Sequence, residues 1–122
     1  MDKIKNNNIR SLLDKFAFNE TDNLTYQINH EIFDDELYMV YDEKGIITLG
    51  FTRYQYLIPV FSDYAAIEYT LEYLKDHYLN VEIATGEKIL SDHFGDSNFF
   101  GLAINPPNYD YVLSCNNFVE VQ

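Results

Sequence analysis

Metal ligands and reactive cysteines are scarce in this sequence. Cys115 is the single cysteine among 122 residues, so the chain cannot form an internal disulfide or a cysteine-based zinc cluster. The three histidines share no HExxH spacing, and the five glycines form no phosphate-binding loop. No basic neighbour or helix N-terminus is predicted to activate the Cys115 thiol. The sequence therefore predicts no metal, no cofactor and no catalytic residues.

Long apolar runs are absent too. No segment approaches the roughly 18 to 20 apolar residues that cross a bilayer. The basic N-terminus MDKIKNNNIRS precedes no hydrophobic signal region. The chain also has the length of one ordinary domain. These features predict a single cytoplasmic domain over residues 1–122 that does not bind membranes.

Positively charged residues are also few. Eight Lys and Arg residues stand against 20 Asp and Glu residues, which gives a net charge of -12. Four of the eight cations lie within residues 1–15, so residues 16–122 carry a net charge of -14. Such a surface repels nucleic acid and anionic lipid and attracts cations. We therefore expect a basic protein partner and no direct binding of nucleic acid.

Three segments have the apolar period of an amphipathic helix. The first covers residues 9–16. The second begins after Ser62 as its N-cap, and the third begins after Thr85 and ends before Gly95. The second has the clearest buried stripe, spaced 4, 3 and 4 residues apart. Its members are Ile67, Leu71, Leu74 and Tyr78.

Alternating or β-rich runs predict the strands. Residues 37–41 and 46–51 are joined by a short polar loop that ends in Gly45, which indicates a hairpin. The run 56–61 contains Pro59, which has no N–H for a ladder, so we expect an edge or a bulge there. Weaker runs predict strands at 24–28, 81–83, 99–104, 109–113 and 118–121. The whole order predicts an α+β fold with a single mixed sheet of about five to six strands and two to three packed helices.

Two short motifs resemble those of the SseB N-terminal domain family. Leu57-Ile58-Pro59-Val60-Phe61-Ser62-Asp63 ends a strand with PVF, followed by a hydroxyl and an acid. Gly101-Leu102-Ala103-Ile104-Asn105-Pro106 follows 40 residues after Phe61 and has the pattern GL-x-I-NP. The chain is similar to that family over roughly residues 9–114. The resemblance implies an α+β domain that acts by binding or as an accessory, because the family offers no established catalytic residues to carry over.

Two acidic groups are candidate contacts for a partner, although each is also compatible with an ordinary solvated surface. Glu68, Glu72 and Asp76 lie four residues apart on one predicted helical face, where like charges repel. Asp34, Asp35 and Glu36 precede the first clear strand. Tyrosines beside these acids or beside the Pro-Pro loop suit an interface, since tyrosine combines contact area with a hydrogen bond. They are Tyr69, Tyr73 and Tyr109.

Two functions fit these features. The first is a non-enzymatic SseB-like accessory domain that binds another protein through an acidic, tyrosine-containing surface. The alternative is a small acidic immunity or inhibitor protein that neutralises a basic toxin or nuclease, including by mimicking DNA. Both functions predict a basic partner.

Overall fold

The fold is α+β, as predicted. The computed structural model describes Ile4 and residues 8–116. The helices are α1 (Asn8–Phe18), α2 (Asp22–Asp34), α3 (Tyr64–Tyr73) and α4 (Gly86–His93). The strands are β1 (Glu36–Asp42), β2 (Gly45–Ile46), β3 (Leu49–Gly50), β4 (Tyr56–Val60), β5 (Asn80–Thr85), β6 (Phe99–Ile104) and β7 (Tyr111–Ser114). The strand predicted at 118–121 lies outside the described residues.

The strands form two sheets, so the prediction of a single mixed sheet was wrong. One sheet has the order β2-β1-β5, and the other has the order β3-β4-β6-β7 with β4 and β6 parallel. An antiparallel bridge joins them, in which Tyr38 and Phe61 exchange backbone hydrogen bonds of 2.9 and 3.0 Å. The run 46–51, predicted as one strand, divides between the sheets because β2 pairs with β1 and β3 pairs with β4.

Pro59 lies where the two sheets separate. One edge of β4 pairs with β3 at Leu57 and with β1 at Phe61, and Pro59 is midway between these positions. The other edge pairs with β6 along the strand. On the edge of β4 that faces β3 and β1, no described ladder pair involves Pro59, so a residue without an N–H is tolerated there. The strand itself is interior to its sheet, between β3 and β6, so the prediction of an edge or a bulge at Pro59 was wrong. The irregularity of the β4–β6 ladder lies between Tyr56 and Leu57.

The prediction of a strand at 24–28 was also wrong, because these residues belong to α2. The Thr21 side chain caps this helix by accepting a hydrogen bond of 3.2 Å from the Leu24 N–H. Ile28 and Ile32 are both fully buried, and their spacing of four residues is the helical one. The short alternation of Leu24, Tyr26 and Ile28 is therefore part of a longer helical period. With α2, the described residues form four helices rather than two to three.

Two hydrophobic cores lie on opposite faces of β1. Leu37 and Met39 contribute to the first core, together with buried residues of α1, α2 and α4 and of β4, β6 and β7. Tyr38 and Val40 contribute to the second core, to which α3 supplies Ala66 and Ile67. Successive strand residues point to opposite faces, which explains this division. As a result α3 packs on the face of β1 opposite to α2.

Candidate functional site

Helix α3 carries most of the candidate contact residues, and Asp63 rather than Ser62 is its N-cap. The Asp63 carboxylate accepts a hydrogen bond of 2.8 Å from the Ala66 N–H. Ser62 is engaged elsewhere, since its N–H donates to the Asn105 side-chain oxygen at 2.9 Å and its hydroxyl accepts from the Asn105 amide at 3.0 Å. The helix predicted here is thus confirmed, with the cap displaced by one residue.

The buried stripe of α3 is shorter than the stripe predicted from the sequence. The helix ends at Tyr73, and Leu74 is its C-cap. Ile67 is fully buried, whereas Leu71, Leu74 and Tyr78 are partly buried against the second core. The centre of the stripe is therefore Ile67, and the last residue of the predicted pattern lies beyond the helix.

The exposed side of α3 places two tyrosines next to two carboxylates. Tyr69 and Tyr73 are 63% and 77% exposed, and we call them the tyrosine ridge. Glu68 and Glu72 are also exposed, and we call them the acidic strip. Residues three or four apart are neighbours on a helix surface, so Glu72 adjoins Tyr69 and Glu68. The structure thus brings these four predicted residues together.

Asp76 does not extend the acidic strip along the helix. It lies in the turn after α3, so the helical spacing that would align it with Glu72 does not apply. Lys75 also interrupts the negative charge, because its Nζ lies 3.6 Å from Glu72 Oε1. The two side chains are 65% and 78% exposed, so the ion pair contributes at most about 1 kcal/mol. The expected helical face of three acids is therefore a face of two.

An apolar groove of about 410 Å³ opens beside the tyrosine ridge. Tyr69 and Tyr73 form its α3 wall together with Thr70 and Leu74, and none of the described residues that line it is charged. The other walls come from β1, the β2–β3 segment, β4 and the Pro-Pro loop. They are Val40, Ile47, Leu49, Pro59, Phe61, Pro106 and Pro107. No sequence pattern indicated this groove, because its walls come from segments far apart in the chain.

The second acidic group lies at the junction of α2 and β1. Asp34 ends α2, and Asp35 is its C-cap, with its N–H donating to the Glu31 carbonyl oxygen at 2.9 Å. Burial, followed by a hydrogen bond with Asp35 and the nearby charges, raises the pKa of Glu31. Because α2 and α3 pack on opposite faces of β1, Asp34, Asp35 and Glu36 do not join the acidic strip.

Tyr109 is placed apart from the tyrosine ridge. Its side chain is half-buried, and its hydroxyl donates to Asp14 Oδ1 of α1 at 2.5 Å. Burial, together with that hydrogen bond, raises the pKa of Tyr109 to about 12. This tyrosine therefore fastens the loop after β6 to α1 and is not part of the groove wall.

A buried polar network connects α1, α3 and the end of β6. Arg10 Nε donates to Asp63 Oδ2 at 2.7 Å, and the Ser62 hydroxyl lies 3.3 Å from the same oxygen. Asn105, which is 1% exposed, adopts a positive φ of 53°, a conformation that asparagine tolerates better than most residues. The network thus joins the two motifs noted in the sequence, Leu57–Asp63 and Gly101–Pro106.

Within residue 4 and residues 8–116, no group of three or more His, Cys, Asp or Glu residues is placed to hold a metal ion. The half-buried Cys115 thiol donates to the Phe99 carbonyl oxygen at 3.5 Å. In the same part of the chain, no helix is both long enough and apolar enough to span a bilayer.

Three tyrosines predict a loss of stability at alkaline pH. Burial raises the pKa values of Tyr56, Tyr109 and Tyr111 to about 12, and hydrogen bonds to Asp96 and Asp14 add to the shift of the first two. An unfolded tyrosine ionises near pH 10. The raised values therefore stabilise the fold fully below about pH 10, and this contribution is lost as the pH rises toward about 12.

Urea unfolding measured from about pH 9 to about pH 11 tests this expectation. The unfolding midpoint should fall across the window. A variant with phenylalanine at Tyr56, Tyr109 and Tyr111 should show a shallower fall. A midpoint that stays constant in the original protein would contradict the prediction.

No family model, no curated protein and no solved structure matches this chain.

Proposed function

We propose that this chain is a cytoplasmic, non-enzymatic, SseB-like domain that binds a basic protein through the exposed side of α3. The observation that carries the proposal is the tyrosine ridge, which lies between the acidic strip and an apolar groove. Tyrosine is enriched among the residues that dominate binding energy at protein interfaces. Each aromatic side chain removes about 150 to 250 Å² from water when it is buried.

The charge of the molecule supports a basic partner. A net charge of -12 generates a negative potential over most of the surface, which speeds encounter with a cationic protein. Glu68 and Glu72 concentrate that charge beside the tyrosine ridge. We therefore expect electrostatics to govern the association rate and the tyrosines to govern the dissociation rate.

The SseB-like part of the proposal is supported by the contact between its two motifs. Ser62, at the end of the first motif, is hydrogen-bonded to Asn105 of the second through both backbone and side chain. Because each motif supplies one partner of these buried hydrogen bonds, the two motifs are expected to occur together. This supports a shared framework and assigns no partner.

The immunity or inhibitor function remains the alternative, because the same acidic charge suits a basic toxin or nuclease. The α3 surface offers two helical carboxylates flanked by tyrosines. That arrangement favours a mixed apolar and polar protein contact over a regular row of charges that imitates DNA phosphates. Identification of the captured partner distinguishes the two functions.

Truncating the tyrosine ridge tests the proposal. A partner is first recovered by pull-down, and its binding to the Tyr69→Ala and Tyr73→Ala variants is then measured by surface plasmon resonance. We expect faster dissociation and a loss of about 2 kcal/mol or more for the pair of changes. Tyr26→Ala is the matched control, since Tyr26 is 64% exposed but lies on α2.

Charge reversal on the acidic strip provides the second arm of this test. The double change Glu68→Lys and Glu72→Lys should slow association about ten-fold at low ionic strength, with a smaller effect in added salt. Glu43→Lys with Glu87→Lys alters the net charge equally at other exposed sites. The proposal fails if the strip variant and this control behave alike, and if truncating the ridge leaves the dissociation rate unchanged.

A further inference from the structure

We infer that the groove beside the tyrosine ridge holds a large apolar side chain from a short basic segment of the partner, with lysine or arginine on either side of that residue. This inference rests on the proposed function and specifies the chemistry of the docking element. It assigns the groove to the apolar residue and the acidic strip to the flanking cations.

The lining of the groove supports an apolar occupant. Its volume of about 410 Å³ falls within the range of roughly 300 to 1,000 Å³ that is typical of ligand sites. Among the lining residues that the structure describes, Tyr69, Tyr73 and Thr70 are the ones with polar side-chain groups, and none of these groups is charged. A charged side chain placed there would lose hydration without gaining an ionic partner.

The backbone also helps to keep the groove open. Pro59, Pro106 and Pro107 line it, and proline offers no N–H that a neighbouring strand could use. Pro59 lies between Leu57, which pairs with β3, and Phe61, which pairs with β1, and the two sheets separate at this point. Side chains rather than a further ladder must therefore fill this space.

The position of the acidic strip supports flanking cations. Glu72 lies three residues from Tyr69, so a cation that crosses the tyrosine ridge from the groove reaches the carboxylate on the same helix surface. A lysine or arginine stem packs its methylene groups along apolar surface while its charged group stays in water. The same cation gains from the face of an exposed tyrosine ring.

Charge also argues against a second copy of this chain as the occupant. Two copies carry -12 each, and the groove lining that the structure describes, in residues 8–116, contains no cation to offset their repulsion. A basic segment, in contrast, is attracted by the whole molecule and by the acidic strip in particular. Charge complementarity thus selects the basic segment.

A synthetic peptide tests the inference without knowledge of the natural partner. The probe is a fluorescein-labelled peptide of sequence KKLLKLLKK, whose binding is followed by fluorescence anisotropy at low and at physiological ionic strength. Two comparison peptides replace all leucines by serine or all lysines by glutamate. We expect the serine peptide to bind about ten-fold more weakly or worse, and the glutamate peptide not to bind.

Variants that block the groove locate the binding. Thr70→Trp fills the α3 wall and Leu49→Trp fills the opposite wall, so a folding defect in one leaves the other informative. Each should weaken binding of the leucine peptide about ten-fold or more and leave binding of the serine peptide unchanged. Thermal unfolding verifies that each variant is folded, and Tyr26→Ala again serves as the neutral control.

The outcomes separate the inference from the function on which it rests. Equal binding of the leucine and serine peptides, or unaltered binding to both blocked variants, would overturn the groove assignment while salt-dependent binding still supported a basic partner. Equal binding of the glutamate peptide would overturn the basic partner as well. An absence of binding by the leucine peptide at millimolar concentration would overturn the inference outright.

Discussion

Replacement of Gly86 by alanine is expected to destabilise the fold by about 3 to 5 kcal/mol, a large share of the margin of a small domain. Gly86 is the first residue of α4, and its N–H donates to the Asp35 carbonyl oxygen at 3.3 Å. A Cβ at this position would lie 2.7 Å from the carbonyl carbon of Ile32 and closer still to its oxygen. The obstacle is helix backbone in α2, which cannot rotate away as a side chain can.

The same reasoning applies to Gly101 in β6. A Cβ there would lie 2.9 Å from the carbonyl carbon of Leu113 and 3.0 Å from the Cα of Ser114, both in the neighbouring strand β7. We expect Gly101→Ala to be comparably damaging because it would force β6 and β7 apart. This contact supplies a steric reason for the glycine in the second sequence motif.

Gly95→Ala is the matched control for both variants. A Cβ at Gly95 would meet no atom within 4 Å, and the residue does not have a positive φ. Its replacement should leave the free energy of unfolding within about 0.5 kcal/mol of the original value. Chemical denaturation of the three variants measures their free energies of unfolding and tests these expectations. Equal stability of all three would mean that α4 and β7 adjust without strain.

The helices show how far local sequence pattern predicts this fold. The predicted apolar periods of α1 and α3 extend over at least two turns, that of α4 is shorter, and each of these helices forms. Thr85 caps α4 as expected, accepting a hydrogen bond of 3.2 Å from the Lys88 N–H. Helix α2 escaped prediction because its first apolar residues also fit a strand, and only Ile32 and Phe33 complete the helical period.

Long-range pairing explains what the sequence pattern did not predict. The division into two sheets depends on where the chain between β2 and β3 changes partner, and neither residue pattern nor turn chemistry indicates that point. The groove depends in turn on that division, since Ile47, Leu49 and Pro59 line it. The tyrosine ridge was predicted because Tyr69 and Tyr73 lie on one helix, where spacing alone makes them neighbours.

Loss of the Arg10–Asp63 ion pair is expected to cause the second large loss of stability. Asp63 is 2% exposed, whereas the Arg10 side chain is 35% exposed, so the carboxylate is the partner that water cannot reach. Removing the cation leaves a buried carboxylate that still accepts hydrogen bonds from the Ala66 N–H and the Ser62 hydroxyl but has lost its counter-charge. Uncompensated buried charges typically destabilise a fold by about 3 to 5 kcal/mol, and Arg10→Ala is expected to lose about 3 kcal/mol.

A double-mutant cycle isolates that effect. Adding Asp63→Asn to Arg10→Ala should restore part of the lost stability, because a neutral amide needs no counter-charge and its oxygen can still cap α3. The exposed pair formed by Lys88 and Asp92 at 3.1 Å is the control, and Lys88→Ala should change the free energy of unfolding by no more than about 0.5 kcal/mol. Urea denaturation of Arg10→Ala, Asp63→Asn, the double variant and Lys88→Ala measures each term. If the double variant were less stable than Arg10→Ala alone, the Asp63 carboxylate would stabilise the fold through its hydrogen bonds even without Arg10. The ion pair would then be secondary to the helix cap.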